Sequence, residues 1–434
     1  MQYITDLHIH SRYSRACSKN LTLSNLAAWA KAKGIDIIGT SDFTHPSWLK
    51  DIEEQLEPAE EGLFRLKKKY EAENGGGSYV AAPEVPDAKP VRFMLTTELS
   101  CIYKKNGRTR RLHLLVFAPT LAAVRRIVAG LERRGCNLRA DGRPILGVDA
   151  KIIVQLALDA DSRCMVVPAH AWTPWFSVFG SESGFDSLEE CFEELTPHIY
   201  AIETGLSSDP AMNRRLSKLD DIMLISNSDA HGLRNLGREA NVFDVSEPSY
   251  AAITDVLRKK QRQKLHTIEF FPEEGKYHVD GHRDCDFFCE PEETVKRKGL
   301  CPKCGKLLTR GVLGRVHALA DRSARQIGAA ASPFKSIVPL EEVIADTVGV
   351  GKASKKVFAA YKRLLERIGS EFFVLLDAPL DAIDRASGPR TAEAIRRMRD
   401  GRLVIRPGYD GKYGIVNIFD EEEKKNAKKR RHGI

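Results

Sequence analysis

The chain has 434 residues, 42% of them hydrophobic, with nine cysteines and a formal net charge of +8. That length predicts two or three domains, and with no apolar run near the ~18 residues of a membrane span a membrane protein is excluded as an expectation. Residues 283–434 carry 31 Lys+Arg against 21 Asp+Glu, whereas the remainder carries 36 against 38.

A basic C-terminal third attached to a nearly neutral first two thirds predicts a polyanionic partner, most simply nucleic acid. Five cysteines are scattered, and Cys285, Cys289, Cys301 and Cys304 cluster. That usage suits a reduced cytoplasm and one metal site better than a disulfide framework. The strand pattern begins at once, so no signal peptide is expected and a cytoplasmic location follows.

Apolar runs predict strands over residues 3–8, 35–40, 92–97, 112–118, 164–169, 199–203 and 222–227. Helical patterns over 23–33, 121–134, 150–160 and 188–195 lie between several of them. Repeated strand-then-helix units predict an α/β fold with a mainly parallel sheet or barrel, whose active site lies at the C-terminal ends of the strands. In the first strand Asp6, His8 and His10 share one face and Leu7 and Ile9 the other, because side chains alternate with period two.

Metal-ligating residue types collect where such a site would be. His8 and His10 end the first strand, Asp42 and His45 follow the second, and Glu98 follows the third. His113 lies in the fourth and His170 closes the fifth; Asp229 and His231, again at period two, close the seventh. Imidazoles suit zinc, iron or manganese, and carboxylates bridge metals and neutralise their charge. Two or three divalent ions (Zn, Mn or Mg) so held would activate water and clamp both oxygens of a phosphoryl centre. The set therefore predicts phosphate-ester hydrolysis, with amide hydrolysis as the competing reading. Asp229, His231, Glu98 and Asp42 are the candidate catalytic residues.

Further along, Trp172, Trp175 and Phe176 lie on one loop beside the predicted site and could hold a nucleobase turned out of its stack. Arg12 and Arg15 after the first motif, and Arg238 after the last, could neutralise phosphate. Residues 73–91, with Gly75-Gly76-Gly77, read as an exposed loop insertion. The four clustered cysteines, ending in Cys-Pro-Lys-Cys-Gly, suit one structural zinc on four thiolates. The pattern then turns helical. Val348-Gly349-Val350-Gly351-Lys352 has the form of a helix-hairpin-helix loop whose backbone N–H groups meet a DNA phosphate, and residues 387–392 read as a second copy. The closing charge run, residues 420–431, reads as a solvated, frayed tail.

His8-x-His10, Glu98, His113, His170 and Asp229-x-His231 resemble the metal motifs of PHP (polymerase and histidinol phosphatase) domains. The resemblance implies a distorted (β/α)7 barrel that hydrolyses phosphoesters. It implies one ion on His8, His10, Glu98 and Asp229, and a second on Glu98, His113 and His170. His231 would serve a third. Phe43 stands where many members have histidine, and residues 11–19 hold no histidine, so Asp42 or His45 is expected to complete the third site.

The order of parts resembles the endonuclease Q family, including Asp42-Phe43-Thr44-His45-Pro46 and residues 168–175. That family implies a PHP catalytic domain over 1–282, a four-cysteine zinc module over 283–320 and a basic helical domain over 321–434. It implies a repair enzyme that nicks DNA 5′ of deaminated bases (uracil, hypoxanthine, xanthine) or abasic sites, with a sliding clamp or another repair protein as a possible partner. Composition and spacing alone reach a metal-dependent phosphodiesterase with a basic accessory region. The alternatives are a phosphomonoesterase for a small phosphate ester and a DNA-binding protein with a non-catalytic barrel.

Overall fold

A computed structural model describes residues 1–71, 81–328 and 331–432; of the side chains beyond residue 426 it describes none. The triple glycine of the expected loop insertion lies outside the described residues. Among the described residues no helix is long and apolar enough to cross a membrane.

The strands that build the barrel are β1 (Gln2–Asp6), β2 (Ile37–Gly39), β3 (Arg92–Lys105), β4 (Arg108–Ala118), β5 (Met165–Pro168), β6 (Ala201–Glu203) and β7 (Met223–Ile225). β1, β2 and β3 pair in parallel, β4 pairs antiparallel with both β3 and β5, and β6 pairs in parallel with β7. Backbone bonds outside the strands join the remaining gaps. Ala171 N donates to Glu203 O at 2.9 Å between β5 and β6, and Asp229 N donates to His8 O at 2.8 Å between β7 and β1. Residues Ala240–Asp244 (β8) and Leu265–Glu269 (β9) extend the sheet outward from β1.

The antiparallel β4 departs from the expected parallel pattern, and the reason is local. Asn106 and Gly107, with φ of 51° and 73°, form a two-residue turn of the kind that folds a strand straight back on itself. β3 therefore runs on to Lys105 instead of ending before Glu98, and Glu98, opposite Leu115, lies diagonally from His113, opposite Ser100, on one face of a hairpin rather than across a helical crossover.

Helices cover the outside. α1 (Leu23–Lys33), α2 (Pro46–Gln55), α3 (Leu121–Glu132), α4 (Ala150–Ala160) and α5 (Tyr250–Arg258) follow strands in the expected manner. Side-chain oxygens of Thr22, Thr120, Asp149 and Ser249 accept the free N–H groups of α1, α3, α4 and α5, the usual satisfaction of orphan donors at a helix start.

Beyond the barrel a hairpin, Asp280–His282 with Phe287–Cys289, carries the cysteine-rich segment. That module is not confined to residues 283–320. A second hairpin, Val404–Arg406 with Ile415–Asn417, brings in Tyr409, which stacks on Phe288 at 4.9 Å and donates its hydroxyl to Asp286. The helical unit consists of α6 (Leu340–Val348), α7 (Lys355–Ile368), α8 (Leu380–Ser387) and α9 (Pro389–Arg399). Two helix–turn–helix pairs thus follow each other, joined by a π-helical turn at Phe373–Asp377. The charge run expected as a frayed tail is instead helical, α10 (Glu421–His432), with Lys424 paired to Asp346 at 2.7 Å.

One buried cluster runs from Leu26 and Trp29 of α1 into Val343, Tyr361 and Leu364 of the helical unit, so barrel and helices share a core. Within it Lys33, 3% exposed, meets Glu371, 5% exposed, at 2.6 Å. Glu371 also accepts from Tyr361 Oη at 2.7 Å and Leu340 N at 3.0 Å. Removing one partner of a buried pair strands the other charge. Lys33→Met should therefore cost ~3–5 kcal/mol and loosen the helical unit first. Chemical denaturation with hydrogen exchange over residues 340–399 reads this out, and an unchanged midpoint would show that the pair does not hold the two parts together.

Candidate functional site

Period-two alternation on the extended chain after β1 aims His8 and His10 into the mouth of the barrel, with Leu7 and Ile9 fully buried on the other side. The backbone there is held on the β7 side, where His10 N donates to Ala230 O at 3.1 Å. Two donor groups result. One is His8, His10, Glu98 and Asp229, the other Glu98, His113 and His170, each with one ligand atom per residue mutually within 4.8 Å.

Glu98 belongs to both. Its Oε2 lies 3.3 Å from Nε2 of His8 and 3.3 Å from Nε2 of His10. Its Oε1 lies 2.7 Å from Nδ1 of His113 and 3.2 Å from Nε2 of His170. A carboxylate with each oxygen turned to a different pair of imidazoles is placed as a bridge between two ions.

The residues fit metal ions on their own chemistry. His8 Nδ1 faces Glu203 at 3.0–3.1 Å, which fixes the proton there and leaves Nε2 as a lone pair. That Nε2 is buried and has no hydrogen-bond partner. Burial opposes charge on His8 and His10, but Glu203, Glu98 and Asp229 around the first and Asp229, Asp42 and Glu98 around the second outweigh it, so both pKa values stand well above the ordinary imidazole value. Conversely, Glu98 is held well below the carboxylate range despite burial, by His113, Arg143 and His8. The pocket has an excess of negative charge that calls for cations, and binding a metal would expel the imidazole protons.

Backbone strain marks the same place. Ser41, Asp42, His170, Phe176 and Asp229 all have positive φ, a conformation that non-glycine residues hold only where their surroundings impose it.

Several expected roles change. Asp42, expected as a ligand of a third ion, joins neither donor group. Its Oδ2 accepts from Ser11 N, Ser11 Oγ and Ser14 Oγ at 2.6–2.7 Å, and its Oδ1 stands 3.4 Å from His10 Nδ1. It positions His10. His45, the other expected ligand, starts α2 and stacks on Tyr13 at 4.4 Å, outside both groups. His231 also lies outside them, its ring 4.5 Å from that of His10 and its Nδ1 2.9 Å from Asp229 O.

Trp172 is not a base-facing residue. It is fully buried, packs on Phe179 and donates Nε1–H to Asn213 at 2.7 Å. Trp175 is 40% exposed and meets Tyr277 edge-on at 5.7 Å, and Phe176 stands 4.9 Å from the His113 ring. Arg12 is tied to Asp51 at 2.8 Å, and Arg238 donates to the carbonyls of Ser228 and Asp229 at 2.8 and 3.3 Å, so both shape loops rather than await phosphate.

Glu203 was missed by sequence reasoning. It accepts from the His8 ring, from His170 N at 2.8 Å and from Asn227 Nδ2 at 2.8 Å, binding three barrel strands around one buried carboxylate. Its place at the end of the sixth strand was the available signal. Arg143 was missed as well, 3.1 Å from Glu98 Oε2.

In the cysteine module the compact donor group is His282, Cys285, Cys301 and Cys304. Cys289, expected as a ligand, lies in the same cluster of cysteines but turns its Sγ to Thr294 Oγ1 at 3.4 Å. The sequence signal was the spacing: His282-x2-Cys285 repeats Cys301-x2-Cys304. Burial raises the Cys301 thiol, but the N–H groups of Lys303 and Cys304 outweigh it and bring the pKa down to about 7.

The hairpin between α6 and α7 places Gly349 at φ 70° as a left-handed helix cap, with Val350 39% exposed; Gly351 follows, and Lys352 is paired to Glu342 at 2.7 Å.

Two outcomes follow. Glu203→Ala should weaken metal binding in the barrel ~10–100-fold, as loss of a carboxylate behind a ligand histidine does, measured by chelator competition. Wild-type affinity would remove Glu203 from the site. Zinc content should survive Cys289→Ser and fall in His282→Ala; the reverse result by mass spectrometry would restore the four-thiolate arrangement. Zinc affinity should also fall steadily as pH drops from the alkaline range and more steeply below about 7, because Cys285, raised to about 11 by its neighbouring thiols, and then Cys301 take up the protons that binding must displace.

Residues 339–402 match the family model described as the MJ0043 C-terminal domain. The uncharacterized protein YqxK of Bacillus subtilis is 29% identical over 95% of this chain and 98% of its own. The uncharacterized protein MJ0043 of Methanocaldococcus jannaschii is 30% identical over 61% of this chain, and the match spans 34% of that protein's length. Among solved structures, the lesion-specific endonuclease PfuEndoQ of Pyrococcus furiosus superposes with a TM-score of 0.82 and 32% identity, covering 97% of this chain and 96% of that one. Endonuclease Q in complex with a 27-mer duplex carrying an abasic lesion at the active site gives 0.80 and 32%, covering 97% and 98%. With that identity held over nearly its full length, and with two His/carboxylate groups in its barrel that could hold ions, the chain belongs to the endonuclease Q family and is a metal-dependent hydrolase of the endonuclease class.

Proposed function

We propose that this protein is a DNA repair endonuclease that hydrolyses the phosphodiester on the 5′ side of an abasic site or a deaminated base (uracil, hypoxanthine or xanthine). The observation that carries the reading is Glu98, shared by two donor groups in a chain whose structural relatives are a lesion-specific endonuclease and an endonuclease Q bound to abasic duplex. His8, His10, Glu98 and Asp229 would hold one divalent ion and Glu98, His113 and His170 a second. When bound, the ions supply an activated water and stabilise charge on the phosphoryl oxygens.

The chain's own residues do the rest. Glu203 and Asp42 hold the two histidines of the first strand at fixed tautomer and angle, so the site is preorganised. Glu98 and Asp229 stay ionised because imidazoles surround them. His231, at 32% exposure, sits at the mouth with its Nδ1 against a backbone carbonyl. Burial keeps its pKa below the ordinary value, so at neutral pH it is uncharged and its Nε2 can accept the proton of the attacking water. Attack on phosphorus breaks the bond to the 3′ oxygen, leaving a 3′-hydroxyl and a 5′-phosphate on the lesion nucleotide.

Extruding that nucleotide costs a few kcal/mol, less when it is mispaired or lacks a base, which favours lesions over paired DNA. Trp175, 40% exposed with the half-buried Tyr277 edge-on to it, is the candidate for stacking on the displaced strand. Backbone N–H groups of the Gly349–Lys352 hairpin would meet a phosphate away from the cut.

The test is a nicking assay on end-labelled duplexes with one uracil, one hypoxanthine, one abasic site or none, with Mg²⁺ or Mn²⁺ and with EDTA. A metal-dependent nick 5′ of the lesion, absent from the plain duplex, is expected. Equal cutting of all duplexes would remove lesion specificity, and cutting in EDTA would remove the metal. Asp229→Asn should abolish cleavage with DNA affinity retained. Trp175→Ala should lower the preference for uracil over thymine more than it lowers metal content; an unchanged preference would take Trp175 out of lesion recognition.

A further inference from the structure

We propose that Arg143 is a catalytic residue of this site, holding a non-bridging oxygen of the scissile phosphate against the ions on Glu98. The inference rests on the phosphodiesterase reading above. Three observations carry it.

The first is placement. Arg143 sits on the loop between α3 and α4, which is clamped to the metal site at each step. Asp141 Oδ1 accepts from Arg15 N and Arg143 N at 3.1 and 3.0 Å, Gly142 N donates to Tyr13 O at 3.0 Å, and Pro144 O accepts from Ser100 N at 3.1 Å. Gly142 packs so closely that a Cβ there would overlap Asp42 Oδ2 and Ser14 Oγ, the atoms that position His10. A loop held this way aims its next side chain.

The second is unused capacity. The guanidinium has five N–H donors. Among the described residues, its hydrogen bonds to protein amount to one, Nη1 to Glu98 Oε2 at 3.1 Å. The side chain keeps 25% exposure, so its remaining donors face an accessible volume. Arg238, flanking the last motif, has its Nε and Nη2 on the carbonyls of Ser228 and Asp229, and Arg12 turns its Nη2 to Asp51 and Tyr13 Oη.

The third is charge. A guanidinium is a permanent cation, and Nη1 of Arg143 stands 3.1 Å from Glu98 Oε2. Once Glu98 bridges divalent ions, its charge is spent on them, and a guanidinium beside them is repelled unless another anion lies between. A phosphodiester is such an anion, and a planar fork of donors matches its two non-bridging oxygens. Those oxygens gain charge as the water adds, so the same contact strengthens toward the transition state. A purely structural Arg143 would gain nothing from remaining beside a metal-loaded Glu98.

The experiment uses the full-length protein, wild type, Arg143→Ala and Arg143→Lys, loaded with Mn²⁺. Its probes are an abasic-analogue duplex and bis(p-nitrophenyl) phosphate. Metal content is measured by mass spectrometry and cleavage under single turnover at saturating enzyme. Arg143→Ala should keep wild-type metal content, lose ~10²–10³-fold in rate, and recover part of that rate on addition of guanidinium ion. Arg143→Lys should lie between, keeping the charge without the fork. A rate for Arg143→Ala within about threefold of wild type would overturn the proposal, as would loss of metal, or failure of guanidinium and lysine alike to restore rate. Wild type that cleaves the small diester but no DNA would remove the repair reading while leaving Arg143 testable. Wild type inactive on both would remove the phosphodiesterase reading itself.

Discussion

The structure depends on one buried carboxylate with four imidazoles around it. Glu98 is 1% exposed, and each of its oxygens faces two histidines. A bare carboxylate in such a place would be costly, so the surroundings must supply positive charge as protons, metal ions or Arg143. Everything close to Glu98 answers that demand. His8 and His10 come from the extended chain after the first strand, His113 from the strand hairpinned to Glu98's own, and His170 from just past the strand paired with that one.

A further layer of acids holds the imidazoles. Glu203 grips His8 and the backbone of His170 together, while Asp42, braced by Ser11 and Ser14, faces His10. These acids do not need to touch an ion. Their work is to set which nitrogen of each ring carries the proton, and therefore which one offers a lone pair to the barrel mouth. The loop of Arg143 packs directly on that support, so ligand orientation and the position of the guanidinium are mechanically linked.

The accessory parts are joined to the barrel, not hung from it. The cysteine module takes its donor histidine, His282, from the strand leading into it, and Tyr409 from near the C-terminus stacks on its hairpin. The helical unit shares a hydrophobic core with α1 and is pinned by the Lys33–Glu371 pair. Both basic parts are thereby held at fixed places relative to the metal mouth, which a nuclease needs if backbone contacts are to set the register of the cut.

Much of this was legible in the residues. The period-two pairs His8/His10 and Asp229/His231, the strand ends and the hairpin glycines at 349 and 351 are local signals, because alternation and left-handed caps are properties of neighbouring residues. The cysteine cluster was legible too, though only the folded hairpin shows that His282 converges with Cys285, Cys301 and Cys304. Tertiary structure decided what depends on distant partners. Whether Asp42 binds an ion or braces His10 turns on two serines near its oxygens; whether Trp172 faces DNA or the core turns on Asn213 and Phe179. Arg143 carries no local mark, and Glu203 only its place at the end of a strand. A lone arginine or glutamate reads as surface charge until the barrel closes and brings it against Glu98 or His8, because burial and partnership arise between strands far apart in the chain.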